Sequence, residues 1–368
     1  MPTPRTGQTA PMRAPARSIA PAAGVALLLG APTVASGASA ELVASTPAPA
    51  PSPRDAGLLV LASMPGPTLD PGTRALITGR HLGGVVLFGA NIRSRRQLRA
   101  LTDALHAAGG RRGFLVTTDQ EGGTVRRVPS AGPPISAQEA GRRGLAYVRA
   151  VSAAAGSDLA ALGIDVDLAP DADLAQGGFI GSRSYGPAPA PAVAAAVAGL
   201  RAGGVGATAK HFPGLGGTRD NTDLGPARAP RVRGPALVPF RAAARAGAGL
   251  VMIDLAVHEG LSSLPTALSP SAYALLRGPK VGFRGVAVTD ALDARAAAAV
   301  GSEEDNAVRA VAAGADLVIA PGGPAVAART VDALTQAVRD GRIPARRFAE
   351  AVRRVRALLA RPAGLPPR

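Results

Sequence analysis

The chain has 368 residues, 47% of them of hydrophobic type, enough to bury the core of one large α/β barrel or of two smaller domains. It contains no cysteine, which excludes a disulfide framework, a thiol nucleophile and any thiolate metal site. The formal charge is +16, yet 39 of the 41 basic residues are Arg, scattered at helical spacing through segments such as 93–99 and 353–357 with no nucleic-acid motif beside them. The charge is therefore read as surface composition, and no nucleic-acid partner is expected.

Arg5, Arg13 and Arg17 precede an apolar run from Ile19 to Val34, which leads into Gly37-Ala38-Ser39-Ala40. A basic start, a short apolar stretch and a small-residue end predict a cleaved signal peptide over 1–40, and hence a secreted protein. The run is too short and too rich in Pro and Gly to span a bilayer, so no stable membrane insertion is expected. Residues 41–56 follow as a Pro/Ala-rich linker.

From residue 57 short apolar runs alternate with Ala/Leu/Arg stretches of helical period. Runs at 58–62 and 84–88 come first, then a helical stretch at 95–108. The next pairs are 114–118 with 137–162, 164–169 with 190–203, and 206–210 with 236–247. Then come 249–253 with 269–279, 285–290 with 303–313, and 315–320 with 327–339. A last helix at 345–360 precedes a tail, 361–368. Eight buried, non-alternating strands separated by helices predict a single (β/α)8 TIM barrel over 57–360. No G-x-G-x-x-G run opens the first unit, which argues against a dinucleotide fold.

A barrel places its chemistry where strands end. Asp119-Gln120-Glu121 follows the third predicted strand, and Asp171 and Asp173 follow the fourth. Lys210-His211 ends the fifth, Asp254 the sixth and Asp290 the seventh. By position alone, Asp290 reads either as a catalytic carboxylate or as the cap of a following helix. Lys210 is one of two lysines among 41 basic residues, which favours a requirement for a compact ammonium over a chance surface position. The four histidines, at 81, 106, 211 and 258, show no metal-ligand spacing, and neither metal nor cofactor is expected.

Five runs occur in order: GGVVLFGANI (83–92), TDQEGGTVRR (118–127), R-S-Y-G (183–186), KHFPGLG (210–216) and GFRGVAVTDAL (282–292). Together they resemble the barrel of glycoside hydrolase family 3, and most of all its single-domain β-N-acetylhexosaminidase branch. The resemblance implies a retaining exo-β-glycosidase with Asp290 as nucleophile. It implies Lys210, His211, Asp119, Arg127 and Arg183 as ligands of sugar hydroxyls, and a small oligosaccharide or glycoside as partner.

One departure matters. Where that branch carries D-[ST]-H, with the histidine as acid/base, this chain has Asn221-Thr222-Asp223. Either Asp223 is the acid/base, with Asp220 the alternative if the loop register differs, or the chain lacks this function. After the sixth strand Ile253-Asp254-Leu255 replaces a T-A-H run of the family. With no Trp and three Tyr, the chain is short of stacking platforms, which points to chain ends as substrate, with Tyr185 the best-placed aromatic. The expected substrate is a β-linked N-acetylglucosamine end of a cell-wall fragment. The alternatives are a β-glucosidase-type member of the family or a secreted sugar-binding protein.

Overall fold

In the computed structural model, which describes residues 52–110, 113–175 and 177–361, the eight apolar runs become eight parallel strands of one closed barrel. The first half contains β1 (Val60–Ala62), α1 (Pro71–Gly79), β2 (Gly84–Leu87), α2 (Arg95–Gly109) and β3 (Leu115–Thr118). A hairpin, β4 (Gln120–Gly122) and β5 (Val125–Arg126), precedes α3 (Ala137–Arg142), α4 (Leu145–Ala161) and β6 (Val166–Asp167). Next come α5 (Ala190–Ala202), β7 (Gly206–Phe212), β8 (Arg228–Ala229), α6 (Gly234–Ala246), β9 (Leu250–Ile253) and β10 (Val257–His258). The chain continues through α7 (Pro270–Arg277), β11 (Val286–Ala291), α8 (Arg295–Ala298), α9 (Glu303–Ala313), β12 (Leu317–Ala320), α10 (Pro324–Arg339) and α11 (Ala345–Ala360).

The barrel order is β1-β2-β3-β6-β7-β9-β11-β12, and β12 returns to β1 with Val318 opposite Val60. Seven of its eight strands are buried along their whole length, as Val85, Val86 and Leu87 or Leu250, Val251 and Met252 show, because one side faces the barrel interior and the other the helices, while β11 ends half-buried at Asp290 and Ala291. The helices each contribute one apolar stripe. In α2, Leu98, Leu101 and Leu105 face inward, and Ser94 caps the first turn by accepting from the Gln97 N–H. In α9 the Ser302 cap is followed by Glu303, Glu304 and Asp305, which complement the positive end of the helix.

The N-terminal ends of the strands are closed by charge. Asp316, fully buried just before β12, accepts from Arg277 at 2.5 Å, Arg347 at 2.5 Å and Arg354 at 2.9 Å. Burial holds Arg277 down at about 10, although Asp316 opposes the shift. Residues 1–51, with the expected leader and most of the linker, lie outside the described residues, as do 362–368. From Pro53 the chain forms a 3-10 helix (Pro53–Leu59) that buries Ala56 and packs on α10 and α11, with Asp55 paired to Arg356 at 2.8 Å.

Four features differ from the periodicity reading. Helix α1 was not expected; it is nine residues long, begins with Pro71-Gly72 and depends on the Asp70 cap. The stretch 137–162 is two helices, broken at Gly144, whose φ of 94° no helix accommodates. The short β4–β5 hairpin and the parallel β8–β10 pair are excursions from the barrel mouth.

Candidate active site

The C-terminal ends of the strands enclose a cavity of about 500 Å³, in the usual range for a small-ligand pocket. Asp119, Arg127, Arg183, Lys210, His211, Asp223 and Asp290 all line it. Asp119 leaves β3, and the β4–β5 hairpin returns Arg127 beside it, with the Arg127 N–H donating to the Asp119 carbonyl at 3.2 Å. Gly122, at φ 100°, lies where a side chain would strike the Ile135 carbonyl, so the hairpin folds tightly only with glycine there. Lys210 and His211 lie on β7, and Arg183 follows β6 at the end of a 3-10 turn. Asp290 is the penultimate residue of β11; the next helix starts at Arg295 with Ala294 at its cap position, so Asp290 caps nothing.

A charged cluster forms one wall. Lys210 Nζ lies 2.5 Å from Asp119 Oδ1 and 2.7 Å from Glu121 Oε1. Arg183 grips Glu121 with two bonds of 2.7 and 2.8 Å. Burial opposes the Glu121 charge, but Lys210 and Arg183 outweigh it and hold its carboxyl at about 2. His211 Nδ1 lies 2.8 Å from Asp173 Oδ2, and its Nε2 is 3.3 Å from Arg183 Nη2. A guanidinium only donates, so Nε2 is the acceptor and the proton sits on Nδ1. Burial, then the Arg183 charge, lowers the His211 pKa and agrees with a neutral ring.

Asp290 differs from the acids of that wall. Its Oδ1 accepts one bond, from the Ala291 N–H at 2.8 Å, and among the described residues no cation lies within ion-pair distance. Burial raises its pKa, His211 and the Ala291 amide opposing, while Asp223 adds to the rise. Asp223 sits on the exposed rim, on a loop anchored at both ends. Near its start, the Leu215 N–H donates to Asp173 Oδ1 at 2.5 Å, and Gly216 passes too close to the Leu174 carbonyl for any side chain. Farther on, the Ala296 N–H donates to the Thr222 carbonyl at 3.0 Å.

Residues 60–358 match the family model described as Glycosyl hydrolase family 3 N terminal domain. The chain belongs to glycoside hydrolase family 3. This family 3 hydrolase is 35% identical over 281 residues to a β-hexosaminidase of Alkalilimnicola ehrlichii, covering 71% of this chain and 79% of that protein. A family 3 β-N-acetylglucosaminidase from Paenibacillus sp. has the same fold at TM-score 0.79 and 33% identity, over 86% of this chain. This chain spans only 63% of that protein. A β-N-acetylhexosaminidase from Beutenbergia cavernae matches at TM-score 0.78 and 31% identity, over 83% of this chain and 98% of its own.

The hydrolase thus brings all seven expected residues to one cavity, whereas Asp220 is exposed and does not line it. Tyr185 is a correction: it does not line the cavity but packs beside Val148 and Ala196 between α4 and α5. The aromatics at the cavity are Phe88 and Phe179. The strand-end reading placed Glu121, which joins Lys210 to Arg183, and Asp173, which joins His211 to Leu215, at the mouth but gave neither a role. Their signal was present in the D-Q-E-G-G run and in the acids after the fourth strand. Among the described residues, Asp171, Asp173 and His211 bring donor atoms within 4.8 Å of one another, close enough for a metal ion. Arg183, 3.7 Å from Asp171 Oδ2, already supplies positive charge there, so the group reads as an ion-paired network.

Proposed function

We propose that the hydrolase is a secreted, retaining exo-β-N-acetylglucosaminidase that removes terminal sugars from cell-wall-derived fragments. The observation that carries this reading is the contrast between the paired acids of the wall and Asp290, whose carboxylate lines the same cavity with no cation among the described residues at ion-pair distance. Asp119, Glu121, Lys210 and Arg183 form a rigid floor that exchanges hydrogen bonds with the hydroxyls of one sugar. A blind floor stops the chain there, which makes the action exo. Asp290 attacks the anomeric carbon as the glycosidic C–O bond breaks, giving a covalent glycosyl-enzyme.

Asp223, at the open rim, gives its proton to the departing oxygen and then takes one from the water that cleaves the intermediate. The apolar faces of Phe179 and of Leu224, which is 74% exposed beside Asp223, provide surface for the leaving group. Relatives named as β-hexosaminidases support the sugar class, and the leader-like 1–40 supports export. A slow fluorinated glycoside tests the nucleophile. Its trapped adduct is expected, by mass spectrometry, on the peptide containing Asp290, and Asp290→Ala should abolish both trapping and turnover while the protein stays folded. An adduct on another peptide refutes the assignment.

A further inference from the structure

Behind the root of the loop that leads to Asp223 lies a second cavity, of about 370 Å³. It shares no lining residue with the sugar cavity. Leu215 lines the first, while its neighbours Gly214 and Gly216 line the second, so the loop root is the partition between them. The rest of the lining comes from Leu174, from the run between β8 and α6, and from His258 at the end of β10.

Three features give this cavity a positive character. Arg231 and Arg233 both line it. Arg231 is 3.6 Å from the exposed Glu259, and among the described residues Arg233 has no acid at ion-pair distance. The first turn of α6 opens on it through Pro235 and Ala236, and no side chain caps that turn, which leaves the positive end of the helix uncompensated. The third feature is His258, which is 1% exposed and has its Nε2 committed to Asp254 Oδ2 at 2.8 Å. Its Nδ1 has no hydrogen-bond partner among the described residues, although the Pro230 carbonyl nearby favours a proton on the ring. Asp254 does not line this cavity, so Nδ1 is the polar atom that the ring offers to it. On a protonated ring Nδ1 is a donor, and a buried donor without an acceptor is costly.

We propose that this cavity binds a small organic anion, a carboxylate or phosphate carried on an apolar body. The oxyanion lies between Arg231, Arg233, the first turn of α6 and His258 Nδ1, and the body lies against Leu174, Pro213 and Val232. The volume is that of a small-ligand pocket and exceeds what a bare ion fills. The site is independent of the sugar chemistry and of the role given to Asp223.

The charges around His258 agree. Arg231 and Arg233 face it on the positive side, and Asp254 and Glu259 on the negative side, with Asp173 farther off. Burial opposes the proton on the ring, but Asp254 and, more weakly, Asp173 prevail and raise its pKa. An anion at Nδ1 adds to that rise, and by linkage the protonated ring holds the anion more tightly.

The test is calorimetric titration of wild type, Arg233→Ala, Arg233→Glu and His258→Gln with benzoate, phenyl phosphate and neutral benzyl alcohol, at pH 6 and pH 9. The two anions separate a carboxylate preference from a phosphate preference, and the alcohol reports the body without the charge. At least one anion is expected to bind one-to-one and benzyl alcohol at least about 10-fold more weakly. Arg233→Ala should weaken the anion about 10-fold, and Arg233→Glu should abolish binding. Benzoate stays ionised throughout this range, so its tighter binding at pH 6 than at pH 9 reports the loss of the His258 proton as the pH rises through the raised value. In His258→Gln that pH difference should vanish. No heat with either anion, or benzyl alcohol binding as tightly as the anions, overturns the site. Binding that both Arg233 variants leave unchanged, or that saturating N-acetylglucosamine displaces, lies elsewhere and overturns it too. Wild-type benzoate affinity that is equal at the two pH values overturns the part given to His258.

Discussion

Glu121→Gln replaces the central charge of the cavity floor with a neutral group of the same shape. In the wild type this carboxylate receives Lys210 at 2.7 Å and both arms of Arg183 at 2.7 and 2.8 Å. Its pKa of about 2, against an ordinary 4.5, corresponds to about 3 kcal/mol of stabilisation at about 1.4 kcal/mol per pH unit. The variant leaves Lys210 only the Asp119 carboxylate, and leaves Arg183 the more distant Asp171 carboxylate, at 3.7 Å, and the neutral His211 ring, at 3.3 Å. Urea unfolding of the two proteins at pH 7 is therefore expected to differ by about 3 kcal/mol. The pH dependence has a fixed sign. A carboxylate whose pKa falls on folding stabilises fully above its unfolded value, so the difference should be complete above pH 4.5 and shrink as the pH falls towards 2. A difference below about 1 kcal/mol at pH 7, the worth of an exposed pair, refutes the reasoning. So does a difference that is the same at pH 3 and pH 7.

Asp316→Ala strands three arginines beneath the barrel, and thermal or urea unfolding should show a loss of about 3–5 kcal/mol, with KM unchanged in whatever protein remains folded. A loss within 1 kcal/mol would mean that water replaces the aspartate without cost. In the buried His258–Asp254 pair, burial opposes protonation, but Asp254 prevails and raises the histidine pKa above its ordinary 6.5. The pair therefore stabilises most below pH 6.5 and weakens as the pH rises through the folded value. The melting-temperature advantage of wild type over His258→Gln should narrow from pH 5.5 to pH 9, and a constant or widening gap would refute the charged pair.

The barrel was legible because its strands are buried on both faces and announce themselves as unbroken apolar runs, from 58–62 to 315–320. Helix α1 was not, since Pro71 and Gly72 hide a helix that its Asp70 cap sustains. At the mouth, Lys210 stood out as a lysine in an arginine background, and Asp290 as an acid at a strand end. Glu121 and Asp173 did not stand out, because a bridging acid is recognised only when residues distant in sequence meet around it. Tyr185 was misplaced for the same reason: side-chain direction in the turn after β6 is set by neighbours. There Ser184 is held by the Asp173 and Gly186 carbonyls at 2.6 and 3.2 Å.

The loop leading to Asp223 runs from one pin, the Asp173–Leu215 bond, to a second, the Thr222–Ala296 bond, and Asp223 stands just beyond the second. The charged wall is assembled from the β3–β4 segment, the 3-10 turn after β6 and β7, and takes nothing from residues 219–223. On the proposed reading, recognition and proton delivery are built on separable lengths of chain. A replacement at 221–223 would then alter bond cleavage without touching the grip on the sugar, which would let an Asn-Thr-Asp triplet stand where the family resemblance leads one to expect a histidine. On the same reading the segment from Leu215 to Asp223 is an exchangeable cassette. A donor loop of equal length, cut at Leu215 and rejoined after Asp223, would bring a different group to the rim above an unchanged wall.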